Sequence, residues 1–287
     1  MSVSKLWVWM DASSTCNLAC RDCYTKESHI PHLMSLRDFR LILQKLALPG
    51  VSVERFHLNW RGEPMTNKRL PEFLTIRREL LPGTPLEFHT NGLLLRAENS
   101  IDLLSRTLPG DRIYVSIDGG GPEAHEANRG AGTWLPTMQG LRALLHARDH
   151  LAGACADIGI FEITYGRTKY DNELLALGRH SDVWTRVHPM GKNGEEVTFD
   201  DGLVPAGPCF WAGNALCITT TGDAFVCLLS FNPMGRLGNI IDEDLSVLLE
   251  QAKAFREQIV RRGRRDVSHC QRCRKTEGDI DAEAAYS

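Results

Sequence analysis

No apolar run in this 287-residue chain comes near the roughly 20 residues that a membrane span needs. A secretion signal is missing too. The start, MSVSKLWVWMDASSTC, has a short apolar run but no small-residue cleavage site. Neither sign of charge dominates: 33 Lys and Arg stand against 36 Asp and Glu, a net −3, so no global basic field recruits nucleic acid. The one dense basic run, RRGRR at residues 261–265, reads as a solvated helix end. Internal repeats and low-complexity tracts are absent. With 43% hydrophobic and 24% charged residues, the chain resembles an ordinary soluble globular protein. Collagen-like, disordered and disulfide-knot readings are excluded. The expectation is a soluble cytoplasmic protein with no membrane or nucleic-acid partner.

What is present is alternation. Strand-like runs at Leu6–Met10, Val53–Trp60, Leu86–His89, Arg112–Ile117, Ile158–Thr164 and Val183–His188 alternate with helix-like ones. The helices are expected at Leu36–Leu46 (with Ser35 as N-cap), Leu70–Leu80, Leu93–Leu108, Leu135–Leu151 and Glu173–Gly178. Strands alternating with helices pair in parallel through right-handed crossovers, which predicts an α/β fold. A complete eight-unit barrel takes about 250 residues, and this pattern stops near residue 195. A partial (β/α)6 barrel over 1–195 is the better fit. Residues 196–287 follow a different grammar. A Gly/Pro-rich stretch leads to a hairpin, Ala215–Thr220 and Ala224–Leu229, turning at Thr221-Gly222-Asp223. A helix from Leu245 to about Arg262 and a CQRC motif close this small second module.

Nine cysteines are the unusual number, and an odd count without a secretion signal argues against a disulfide framework. Cys16, Cys20 and Cys23 form CxxxCxxC in the loop after the first strand. Three thiolates there can hold three corners of a [4Fe–4S] cube and leave one iron open, whereas structural zinc takes four ligands. The position matters as well, because parallel α/β barrels carry their chemistry on the loops at the C-terminal strand ends. Cys209, Cys227, Cys270 and Cys273 form a second group, which on spacing alone is either a zinc ribbon or a cluster site. Cys155 and Cys217 remain. Each reads first as a small buried hydrophobe.

CxxxCxxC after the first strand of a partial barrel resembles the radical S-adenosylmethionine (SAM) superfamily. In that family the open iron chelates SAM, and an electron through the cluster yields a 5'-deoxyadenosyl radical that abstracts a substrate hydrogen. Other motifs follow in the family's order. Gly62 and Glu63 of Trp60-Arg61-Gly62-Glu63-Pro64 resemble its GGE-type motif, which implies that Glu63 accepts from the SAM ammonium. Thr90 and Asn91 sit in a THR-ASN-GLY stretch after the third strand; Ser116 and Asp118 end the fourth. The resemblance pairs Arg129 with the SAM carboxylate in a charge-assisted contact. Many relatives have an aromatic residue before the third cysteine; here Asp22 stands there, and Tyr24 after the cysteine is the adenine candidate. The second cysteine group is similar to a shortened SPASM domain, the twitch domain, which implies one auxiliary [4Fe–4S] cluster saturated by four thiolates. The implied cofactors are therefore two [4Fe–4S] clusters and SAM, with a flavodoxin or ferredoxin-type electron donor.

The motif set, including Gly238-Asn239-Ile240 and the closing CxxC, resembles the twitch-type dehydrogenases of aminocyclitol antibiotic biosynthesis. That likeness implies oxidation of a secondary alcohol on an amino sugar or aminocyclitol. Lys192 stands where such enzymes have a substrate-binding arginine, and His188 and Lys192 are the candidate bases. Reaching Cys16 so early, the chain leaves no room for an N-terminal peptide-binding module, so a small, polar, hydroxylated substrate is expected. The alternatives are an epimerase with Cys217 as hydrogen-atom donor and, further off, a zinc-stabilised interaction module.

Overall fold

The structure is a computed structural model, and it describes residues 4–21, 23, 31–163, 169–187, 204, 209–228, 235–268, 270, 271 and 273. The elements run β1 (Ser4–Met10), α1 (Leu36–Leu46), β2 (Val51–His57), α2 (Leu70–Leu80), β3 (Leu86–Thr90), α3 (Ala97–Leu104), β4 (Arg112–Asp118), α4 (Pro122–Arg129), α5 (Trp134–His150), β5 (Asp157–Ile163), α6 (Asn172–His180) and β6 (Val183–Val187). Then come α7 (Phe210–Asn214), β7 (Ala215–Ile218), β8 (Asp223–Phe225), β9 (Arg236–Asn239) and α8 (Leu245–Arg262). One sheet contains all the described strands in the order β6-β5-β4-β3-β2-β1-β7-β8-β9. β1 to β6 pair in parallel, as the alternation requires, and β7 joins parallel to β1 with Trp9 opposite Cys217. β7, β8 and β9 then turn antiparallel. This is the α/β architecture of a partial barrel carrying a small C-terminal module.

The physics is visible in α1. Ser35 Oγ accepts the Asp38 N–H at 3.1 Å, and Phe39, Ile42, Leu43 and Leu46 form a single buried stripe. That stripe packs on the outer face of the sheet, where Val8, Phe56, Phe88, Val115 and Ile160 are fully buried. Phe39 stacks on Phe73 of α2 with centroids 4.4 Å apart. Lys45, in the last turn of α1, donates to the carbonyls of Ile240, Ile241 and Glu243 at 2.7, 3.1 and 2.7 Å, tying the second module to the barrel. In the hairpin, Gly222 has φ +85°, and a Cβ there would meet Ile241 at 2.6 Å. No described helix is long and apolar enough to cross a membrane.

Several expectations need correction. The helix expected over Leu93–Leu108 is only α3, because Asn99 accepts the Arg96 N–H at 2.7 Å and starts it late. α4 was unforeseen, since only His125 and Asn128 of its eight residues are buried and no apolar stripe announces it. Cys155 is not a buried hydrophobe; it lies half-exposed in the loop before β5, its thiol on the Gly153 carbonyl at 3.1 Å. Nor is RRGRR wholly solvated. Arg264 is 1% exposed, and its Nη2 donates to the Cys273 carbonyl at 3.3 Å, closing the CxxC loop. The boundary expected at 195/196 lies outside the described residues.

Candidate active site

The chemistry-bearing motifs meet at the C-terminal ends of β1 to β4. Asp11, first residue after β1, receives the backbone N–H groups of Trp60 and Arg61 on Oδ1 at 2.8 and 2.6 Å. Its Oδ2 is buried without a hydrogen-bond partner. Gly62 then lies flat on the loop after β1, where a Cβ would come within 2.1 Å of the Ser13 carbonyl oxygen. Only glycine fits. The next N–H, of Glu63, reaches the Thr15 carbonyl at 2.9 Å.

The Glu63 carboxylate is buried and gathers three donors. Oε1 takes Met65 N–H at 3.0 Å and Thr90 Oγ1 at 2.8 Å; Oε2 takes Asn91 N–H at 2.7 Å. Asn91 Nδ2 in turn donates to Asn17 Oδ1 at 2.8 Å, inside the CxxxCxxC loop. Glu63, Thr90 and Asn91 are therefore one unit braced against the cysteine loop. Arg129 grips Asp118 with two bonds, Nε to Oδ2 at 2.8 Å and Nη2 to Oδ1 at 3.0 Å, while Asn128 Nδ2 adds 2.6 Å to Oδ2. Asp118 is thus engaged with Arg129 and Asn128. Ser116 stands two residues earlier on the same strand face, nearly buried.

Burial raises the Cys16 thiol, the Leu18 N–H and Arg129 oppose it, and the Glu63 and Cys23 charges add to it; burial takes Cys20 to about 11, with Arg129 pulling down and Cys23 pushing up. Three thiols within reach of one another's charge, beside an arginine, form a donor set that a polynuclear iron centre relieves by taking thiolates. Cys270 is pushed to about 12 by burial and then by Cys209 and Cys273. Cys209 packs against both the main core and the small cluster of Ala212, Ile259, Val267 and Cys270. Cys227, at the end of the hairpin, has Cys217 as its charge neighbour. Cys217 itself is 0% exposed on β7. Among the described residues, no three His, Cys, Asp or Glu side chains converge closely enough to hold a single metal ion. Tyr24, His188 and Lys192 lie outside the described residues.

The sheet's inner face carries a group the motif reading did not single out. Trp9, His57, Glu87 and Arg112 follow one another across β1 to β4, and one step along the same face His89 lies opposite Tyr114. Glu87 sits between His57 and His89, and His89 touches Phe161 of β5 although β4 lies between, a closeness suited to a concave face. The signal was present as alternation in ERFHLNW, LEFHT and RIYVSID, where every second residue is polar. Buried parallel strands usually read apolar on both faces.

Asp11 yields a pH prediction. Burial raises its carboxyl from 3.8 to about 7, against the lowering pull of the Arg61 and Trp60 N–H groups. Below pH 4 both folded and unfolded forms are protonated and no penalty exists. It grows as pH rises toward 7, on the order of 4 kcal/mol, because the folded state then binds the extra proton. Asp11→Asn keeps an acceptor for both N–H groups, so urea unfolding should show it gaining stability over wild type between pH 4 and 7. An unchanged difference across that range contradicts the shift.

Parallel strands, a three-cysteine loop after the first of them and a cysteine-bearing C-terminal module define an iron–sulfur enzyme on a partial α/β barrel. The family model of the radical SAM superfamily matches residues 11–159, and that of an iron–sulfur cluster-binding domain, SPASM, matches 209–274. The chain belongs to the radical SAM superfamily, and its cofactors are SAM and [4Fe–4S] clusters. Among curated proteins it is similar to the mycofactocin maturase MftC of Mycobacterium ulcerans, 25% identical over 279 residues, covering 84% of this chain and 73% of that protein. Among solved structures it resembles BtrN in complex with AdoMet and 2-DOIA, with 20% identity, TM-score 0.60 and coverage of 96% and 94%. Streptococcus suis SuiB bound to the precursor peptide SuiA matches at 15% identity and TM-score 0.61, over 95% of this chain and 70% of that one.

Proposed function

We propose that the protein oxidises a secondary alcohol of an amino sugar or aminocyclitol to a ketone. The observation that carries this reading is the inner face: indole, imidazoles, carboxylate and phenol line it, groups that suit a small, polar, hydroxylated molecule. The likeness to BtrN, solved with 2-DOIA, and the motif resemblance to aminocyclitol dehydrogenases support it. When bound, SAM and its cluster supply hydrogen-atom abstraction. On this reading Cys16, Cys20 and Cys23 would hold that cluster, and Cys209, Cys227, Cys270 and Cys273 would hold an auxiliary one able to take up the surplus electron. Gly62, Glu63, Thr90, Asn91, Ser116, Asp118 and Arg129 form the SAM cradle, in which Asp118 orients Arg129 and Glu63 fixes the Thr90–Asn91 turn. A flavodoxin or ferredoxin-type protein delivers the reducing electron.

The fate of the substrate hydrogen tests the reading. Oxidation consumes one SAM per ketone and installs no solvent hydrogen at the attacked carbon. An epimerase instead gives product one deuterium heavier in D2O, delivered from an exchangeable thiol. Cys217 is the thiol on which that alternative depends, and burial keeps it protonated. Cys217→Ala is expected to retain most ketone formation. Carbon-bound deuterium from D2O, together with product loss in Cys217→Ala, refutes oxidation in favour of epimerisation.

A further inference from the structure

Below the strand-end loops, the inner face holds three ionisable side chains that the proposed cofactor cradle leaves unused. Glu87 of β3 is their hub. Its Oε1 meets His89 Nε2 at 2.9 Å and His57 Nδ1 at 3.4 Å, and its Oε2 is buried with no hydrogen-bond partner. The two imidazoles differ in surroundings. His57 lies flat on Trp9, centroids 4.4 Å apart and planes within 5°, its Nε2 buried and unpartnered. His89 keeps 20% of its side chain exposed, with its ring between Tyr114 and Phe161 at 4.9 and 4.3 Å.

A carboxylate that binds one ring nitrogen fixes the tautomer and turns the other nitrogen's lone pair outward, the arrangement of a proton acceptor. The electrostatics agree. Burial opposes charge on Glu87, yet His57 and then His89 outweigh it and hold the carboxyl far below the usual carboxylate range. An ionised Glu87 and one imidazolium make a neutral cluster. A second proton would add net positive charge near Arg55 of β2 and Arg112 of β4, which face the same group with Tyr114. Of the two imidazoles, His89 is the one with access.

We propose that His89, oriented by Glu87, is the catalytic proton acceptor for the substrate's carbinol oxygen, with Glu87 and His57 as positioning residues. The proposal rests on the oxidation reading above. Once the carbinol carbon has lost its hydrogen atom, the O–H bond breaks with its electron pair staying on oxygen. The proton goes to the outward nitrogen of His89. The single surplus electron leaves to a one-electron acceptor, the role given above to the auxiliary iron–sulfur cluster, and the carbonyl forms.

The test uses anaerobically reconstituted full-length protein with 2-deoxy-scyllo-inosamine and glucosamine as probes. His89→Gln keeps a donor to Glu87 but cannot take a proton. It should still form 5'-deoxyadenosine while ketone formation falls about a hundredfold or more, and the acid limb of the wild-type pH profile should vanish. Added imidazole should restore turnover in His89→Ala and leave the wild type unchanged. Ketone formation by His89→Gln within about threefold of wild type, with the acid limb intact, overturns the assignment. Should neither position-89 variant fold, Glu87→Gln decides: the acid limb must move, and an unmoved limb rejects the proposal. Wild-type protein that makes no ketone from either probe defeats the oxidation reading and the proton acceptor with it. Wild type that does, beside an unaffected His89→Gln, defeats the acceptor alone.

Discussion

Replacing Cys16, Cys20 and Cys23 together by alanine is expected to halve the iron of the anaerobically reconstituted protein, from about eight per chain to about four. SAM cleavage should disappear altogether. The three thiols share one loop beside Arg129, where burial raises Cys16 and Cys20, whereas Cys209, Cys270 and Cys273 form a separate group around the end of α8. Removing the first set leaves the second set's surroundings intact, so the residual iron should keep a broad iron–sulfur absorbance at about 400 nm. The loop itself stays tied by the Asn91–Asn17 bond and by Arg21 N–H on the Asn128 carbonyl at 2.8 Å, so the fold should survive. Iron and sulfide analysis with a 5'-deoxyadenosine assay decides the matter. Retained cleavage in the triple variant means that the SAM-binding cluster sits elsewhere.

Breaking the Arg77–Asp111 pair is expected to cost the most stability of any single substitution considered. Both side chains are about 1% exposed, and Arg77 Nη2 donates to Asp111 Oδ1. Asp111 also accepts Leu86 N–H on Oδ1 at 3.0 Å and Leu108 N–H on Oδ2 at 2.8 Å, so it joins α2 to the start of β3 and the turn before β4. Arg77→Met leaves a buried carboxylate without its cation, which costs about 3–5 kcal/mol. Asp111→Ala should cost at least as much, because two backbone N–H groups and a guanidinium lose their acceptor together. The double variant should not return to wild-type stability, since the backbone donors remain unpaired. Urea midpoints with unchanged slopes measure this. A loss under about 1 kcal/mol in Arg77→Met would mean that water or relaxation compensates the carboxylate.

Much of the framework was legible from the chain alone. Helices Leu36–Leu46, Leu70–Leu80 and Leu245–Arg262 agree with the structure residue for residue, because each combines a strong apolar stripe with an N-terminal signal or a closing glycine. The three-cysteine loop was readable because its CxxxCxxC spacing is a one-dimensional property. Other features were not. α4 carries no stripe, and Arg264 belongs to a basic run that resembles solvated surface until the CxxC loop folds onto it. The engagement of Asp118 with Arg129 was equally hidden: both were expected to face a cofactor, and only the turn through Gly119–Gly121 into α4 brings them against each other.

By itself, then, the sequence determined the alternating α/β order, the two cysteine groups and the membership they announce, because periodicity and spacing are properties of neighbours along the chain. Only the tertiary structure decided how the inner face is composed. Glu87, His57 and His89 lie on two strands, 30 residues apart at the closest crossing of β2 and β3. Their alternation was written in the sequence, but which face points inward depends on where the helices cover the sheet. That choice is made when Phe39, Phe56, Phe73 and Phe88 are buried together on the outer side. The apolar residues of each strand follow them outward, and the period of two leaves the imidazoles and the carboxylate facing one another.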